Sequence, residues 1–217
     1  MPKYQATIYG HKEEQFNIWS HGLGFVASVV GTLLLLARAL AISDPTYAVS
    51  AAVYGASLLT LYAASTLYHS AQKPKLRNRL NIFDHAAIYI LIAGTYTPFC
   101  LITLAGKAGW ILFACVWSFA VAGVILKLFF TGRYDKLSTL MYIFMGCMVI
   151  FAFKPLMAHL PTEGLYWLLG GGLSYIIGAA FYSFPQRIRY NHAIFHVFVL
   201  AGSLCHFVSV YCYVISP

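Results

Sequence analysis

Seven long apolar runs follow one another along the chain, at about 21–42, 47–71, 82–104, 108–129, 137–157, 164–184 and 191–215. At about 1.5 Å per residue, each is long enough to cross a hydrocarbon core of about 30 Å as a helix. Short breaks with turn chemistry separate them: Ser43-Asp44-Pro45, Gln72-Lys73-Pro74-Lys75, Thr131-Gly132-Arg133 and Pro161-Thr162-Glu163-Gly164. Ala105-Gly106-Lys107 alone divides the third run from the fourth, the least sharply marked boundary. No linker, low-complexity tract or internal repeat interrupts the series. The pattern predicts an all-α fold, a polytopic membrane protein in which residues 1–217 form a single seven-transmembrane helix bundle. The first run contains Ala37-Arg38-Ala39, which resembles a cleavage site. The apolar stretch before it is too long for a signal-peptide core, so it is read as a retained span.

Composition supports the same class. Of 217 residues, 60% are apolar, 17% aromatic and 9% charged, against about 25% charged in a soluble domain. Disorder is excluded on the same figures, because it requires low hydrophobicity. The net charge of +8 does not point to nucleic acid, since the bases sit in the short breaks between spans. Membrane lipids are the expected partners. Counted over seven spans, one face collects Lys3, Lys12, Lys73, Lys75, Arg77, Arg79, Lys127, Arg133, Lys136, Arg187 and Arg189, and the other only Arg38, Lys107 and Lys154. Eleven bases against three predict a cytoplasmic N-terminus and an outside C-terminus. The five cysteines all fall in apolar stretches without a C-x-x-C pair, so buried, inert thiols are expected rather than a disulfide framework.

Polar groups inside spans are costly and ask for a reason. Ser65 and His69 lie late in the second run, Asp84 and His85 at the start of the third, and His192 and His196 at the start of the seventh. With alternating spans, all three stretches reach one depth. His192 and His196, at i and i+4, leave one helix face about 5–6 Å apart, close enough to share a metal ion. His69 offers a third nitrogen and Asp84 a carboxylate. Three neutral nitrogens with a fourth position left to water make the pattern of a catalytic zinc site. A set of hydrogen-bonded histidines at headgroup level fits the same spacing. Ser65, one turn before His69, either bonds back to its own helix or faces the site. His85 points about 100° away from Asp84 and His206 about 80° off the face of His196, so neither is expected as a ligand. Glu14, Asn17 and His21 read as a polar plug at the inner mouth of the bundle, although Glu14 equally suits a helix N-terminus.

Three ordered blocks carry a family resemblance: Glu14-x-x-Asn17-x-x-Ser20-His21 followed by Gly22 and Gly24; Ser65-x-x-x-His69, a basic loop, then Asp84-His85-Ala86-Ala87-Ile88-Tyr89 running on to Gly94-Thr95-Tyr96-Thr97-Pro98; and His192-x-x-x-His196. Over nearly its whole length the chain resembles the hemolysin III proteins, the bacterial branch of the progestin and adipoQ receptor family that includes the adiponectin receptors. The resemblance implies seven helices with an inside N-terminus and a zinc ion near the cytoplasmic side. Its ligands would be His69, His192 and His196, with Asp84 associated directly or through water, and Ser65 in the same polar cluster. Hormone binding is not expected with so short an N-terminal tail. Nor do seven spans joined by short loops look like a secreted pore former.

Two functions are consistent with these residues. One is a zinc-dependent, ceramidase-like hydrolase of lipid amides or esters, serving lipid homeostasis in a bacterial inner membrane. In it Asp84 would act as general base and Ser65 would steady the oxyanion. The other is a non-enzymatic sensor of membrane lipid state with a structural zinc. Transport is not expected, because no charge pairs or broken helices mark the mid-membrane.

Overall fold

A computed structural model describes residues 5–131, 135–183 and 188–216, apart from the side chains of residues 135 and 136. Lys3, Gly132, Arg133 and Arg187, together with the Lys136 side chain, which entered the loop and charge reading, lie outside the described residues. Eight α-helices and no strand occur among the described residues: α1 (His11–Leu40), α2 (Pro45–Ser70), α3 (Pro74–Pro98), α4 (Gly106–Phe130), α5 (Asp135–Cys147), α6 (Phe153–His159), α7 (Thr162–Ser183) and α8 (Asn191–Ser209). Seven helical stretches are long and apolar enough to cross a membrane, the fifth being α5 and α6 joined through a 3₁₀ turn at Met148–Ala152. The predicted seven-span fold is therefore observed.

Helix ends follow local chemistry. Asp44 caps α2, its Oδ1 accepting the Thr46 N–H at 2.8 Å with Pro45 in the first turn. That bond holds the exposed Asp44 carboxyl below the usual range. Pro98 closes α3, and a π-helical turn follows at Phe99–Thr103, with Leu104 N–H donating to the Phe99 carbonyl at 2.8 Å. The corner into α4 needs only Ala105 and Gly106, at φ 27° and 70°.

Two spans begin well before their apolar runs. α1 starts at His11 rather than near residue 21, and α3 at Pro74 rather than near 82. Polar residues can start a helix when one face turns inward to partners. On α1 that face is Asn17, His21, Gly24, Ser28, Gly31 and Leu35, buried at alternating four- and three-residue steps. On α3 it begins with the buried Arg77 and Asn81.

The helices close a ring: α1 packs on α2, α2 on α3, α3 on α4, α5 bridges α4 to α7, and α8 returns from α7 to α1. Lipid gives no hydrophobic drive between helices, so close fit decides this order. Gly24 lets Tyr62 and Leu200 approach α1, where an added Cβ would stand 2.6 and 2.8 Å from them. Large apolar side chains such as Val26, Leu33, Phe129, Phe151 and Leu173 face outward, as a lipid-facing surface requires. All five cysteines are free; Cys100 is buried as expected, but Cys115 and Cys212 face outward.

Candidate metal centre

One end of the ring gathers three helix termini. Glu14 stands in the first turn of α1, His69 in the last turn of α2, and His192 and His196 in the first two turns of α8. The turn into α8 is fixed by Tyr190 in the left-handed region at φ 60° and by Asn191, whose amide donates to the Phe181 carbonyl at 3.3 Å.

The three histidines, predicted from separate parts of the chain, meet. His192 Nε2 lies 3.2 Å from His69 Nε2 and 3.1 Å from His196 Nε2, and the ligand atoms all fall within 4.8 Å of one another. All three side chains are buried.

Their outer nitrogens set the tautomers. His69 Nδ1 sits 2.7 Å from Glu14 Oε2. An ionised carboxylate only accepts, so Nδ1 carries the proton and the neutral ring keeps a lone pair on Nε2. His196 Nδ1 is 3.3 Å from the Ser20 hydroxyl, which donates to the Asn17 carbonyl at 3.1 Å. Ser20 thus accepts from His196 Nδ1–H, and His196 Nε2 also holds a lone pair. Two lone pairs converge on His192 Nε2, which has at most one proton to offer. Adding a proton to His69 only moves the mismatch to the His192–His196 contact. A shared cation satisfies all three atoms. Tetrahedral zinc with Zn–N bonds of about 2.0–2.1 Å sets its nitrogens roughly 3.3 Å apart, close to the two separations from His192 Nε2.

Ring faces wall the cluster. His21 stacks on His196 with centroids 3.5 Å apart and planes 8° from parallel, and meets Tyr62 edge-on at 5.1 Å. Tyr9 stacks on His192 at 4.4 Å and 14°, and tilts against His69 at 5.8 Å. Burial holds the Tyr9 phenol protonated, its pKa well above the ordinary value. Glu14 Oε1 accepts the Tyr9 N–H at 3.0 Å and pairs with Arg77. The same guanidinium reaches the carbonyls of Tyr68, His69 and Ala71 at 3.3–3.4 Å, capping the end of α2.

Asp84 is buried and hydrogen-bonded to Ser65, with His69 acting on it electrostatically. It stands outside the three-histidine group. Ser65 thus partners Asp84. His85 lies off the cluster, its Nε2 3.3 Å from the Tyr182 hydroxyl, and His206 Nε2 donates to the Leu168 carbonyl at 3.0 Å. Glu14 and His21 touch the cluster, His21 stacking on His196 and Glu14 bonding His69 rather than merely starting a helix, and Asn17 is buried on the same face of α1. Tyr9 and the capping role of Arg77 escaped the sequence reading. A base among the others of Lys73–Arg79 looks like a charge marker, and only its burial reveals the hub. The heptad-like stripe from Asn17 through His21 to Leu35 was the signal that α1 turns a polar face inward.

A family model described as "Haemolysin-III related" matches residues 9–207. "Hemolysin-3" of Bacillus cereus is 46% identical over 204 residues, covering 94% of this chain and 93% of the relative. "Hemolysin-3 homolog" of Bacillus subtilis (strain 168) is 43% identical over 205 residues, covering 94% and 96%. The human "Monocyte to macrophage differentiation factor" is similar at 29% identity over 220 residues, covering 97% of this chain and 87% of that one.

Proposed function

The chain belongs to the haemolysin-III-related family, integral membrane proteins with a three-histidine cluster in this member, and on that footing we propose that it is a zinc-dependent hydrolase of membrane lipid amides or esters. The observation that supports the reading is the convergence of Nε2 lone pairs on His192 at the same end of the bundle as the Ser65–Asp84 pair. When bound to His69, His192 and His196, zinc would polarise a carbonyl and bring the pKa of a water to about 7.

The chain's own residues supply the rest. Asp84 takes up the proton released as attack proceeds, and its place outside the triad suits a base acting one water away. Ser65 aims that carboxylate and, turned toward substrate, donates to the oxyanion, a contribution of about 3 kcal/mol where comparable donors have been removed. Glu14 and Ser20 hold two imidazoles in the tautomer that presents Nε2. With the N-terminus cytoplasmic, the site lies at headgroup level of the inner leaflet of a bacterial inner membrane, where a lipid linkage sits while its acyl chain stays among the helices. The role would be lipid homeostasis.

A second reading, a sensor of lipid state in which zinc only ties α2 to α8, is favoured by the burial of all three histidines beneath Tyr9 and His21. Purified protein offered short-chain ceramide and a panel of lipid esters separates the two through released fatty acid. Hydrolysis predicts turnover that Asp84→Asn abolishes while zinc content stays whole. Equal background release from wild type and Asp84→Asn across the panel makes the sensor the answer.

A further inference from the structure

We propose that residues 5–10 form a strap closing the mouth of the histidine site, that Tyr9 is the residue sealing it, and that release of the strap admits the lipid headgroup. The headgroup part rests on the hydrolase reading; the strap itself does not.

The strap is held by few, directional bonds. Ala6 N–H donates to Asn78 Oδ1 at 2.8 Å. The Thr7 carbonyl accepts from Arg77 Nε at 3.1 Å, Arg77 Nη2 at 2.8 Å and the Tyr68 hydroxyl at 3.0 Å. Tyr9 N–H donates to Glu14. Apolar burial comes from Ala6 and the half-buried Tyr9 ring, while Ile8 is 75% exposed and Thr7 and Gly10 are exposed as well. A segment tied this way opens locally at small cost while the bundle stays folded.

What it covers is the ring of His192 in the three-histidine cluster. The other rings stacked or tilted against the three imidazoles, those of His21, Tyr68, Tyr182 and Phe195, stand on spanning helices. Among these described neighbours, Tyr9 alone stands outside a helix. Arg77 joins the two halves of the device, since it grips the Thr7 carbonyl, Glu14 and the last carbonyls of α2. Loss of the strap therefore loosens the hold on the Glu14–His69 pair at the moment that His192 is uncovered.

The test uses the full-length protein in detergent micelles. In the first arm, zinc-loaded wild type, Tyr9→Ala and Tyr9→Phe are mixed with excess chromogenic chelator and the rate of zinc release is followed. Tyr9→Ala should release at least tenfold faster than wild type from the same starting zinc content, and Tyr9→Phe, which keeps the stacked ring, should match wild type. In the second arm, which needs no metal, His192→Cys is treated with a small charged thiosulfonate and its modification read by site-resolved mass spectrometry. Adding Tyr9→Ala should speed that modification at least tenfold. If the protein takes up no zinc, the metal reading fails and the thiol arm alone decides the strap. Zinc-release and thiol rates that Tyr9→Ala leaves unchanged overturn the strap and leave the metal reading standing.

Discussion

Glu14→Gln offers a sharp test of why the histidines are arranged as they are. The Tyr9 N–H and the Arg77 guanidinium both donate to Glu14 Oε1, so in the variant they hold the amide oxygen at that position. The amide nitrogen then faces His69 Nδ1, where the carboxylate Oε2 stood at 2.7 Å. Two donors now oppose each other. Relief comes when His69 moves its proton to Nε2, which points an N–H into the space the three Nε2 atoms share. Binding zinc must undo this. The lost charge-assisted hydrogen bond is worth about 1.5–3 kcal/mol, which predicts roughly 10- to 150-fold weaker zinc binding, overlapping the roughly 10- to 100-fold loss seen when such outer partners of metal-bound histidines are removed. Competition with a chelator of known affinity measures it on purified protein. Thermal midpoints taken with and without zinc separate the metal effect from the lost Arg77 pair, which weakens both states alike. A dissociation constant within twofold of wild type would refute the tautomer argument, and with it the role of Glu14 in presenting His69.

Replacing both His192 and His196 with alanine should bring zinc content close to zero by elemental analysis and erase any zinc-induced rise in thermal midpoint; full retention would place the ligands elsewhere. Gly123→Ala should destabilise the fold by about 1–3 kcal/mol, because a Cβ there meets the Tyr89 ring on α3; thermal unfolding in detergent reads it as a lowered midpoint. Paired phosphatase and fluorescent fusions at the C-terminus should report it on the non-cytoplasmic side of the membrane, as the eleven-to-three division of bases predicts; a cytoplasmic C-terminus would overturn the orientation and the leaflet assigned to the site.

Much of this protein was legible in the sequence because lipid is a severe solvent. It forces backbone groups into helices and excludes charge, so seven runs of apolar residues leave little choice of fold class. The i, i+4 spacing of His192 and His196 and the alternation of span direction put them at one depth with His69, and the family resemblance implied that the three share a site. Helix ends were less legible. Apolarity marks where lipid begins, whereas Pro74 and the inward polar face of α1 set where helix begins, ten residues before the apolar run at His11. Which residue pairs with which at the site was not legible. Glu14 meets His69 across 55 positions and Ser20 meets His196 across 176. Periodicity says which face of a helix turns inward. It does not say how far that helix slides or rotates against its neighbour. In a bilayer, small-residue contacts such as Gly24 with Tyr62 settle that, and so only the assembled bundle brings Tyr9 over His192 and Arg77 onto Glu14.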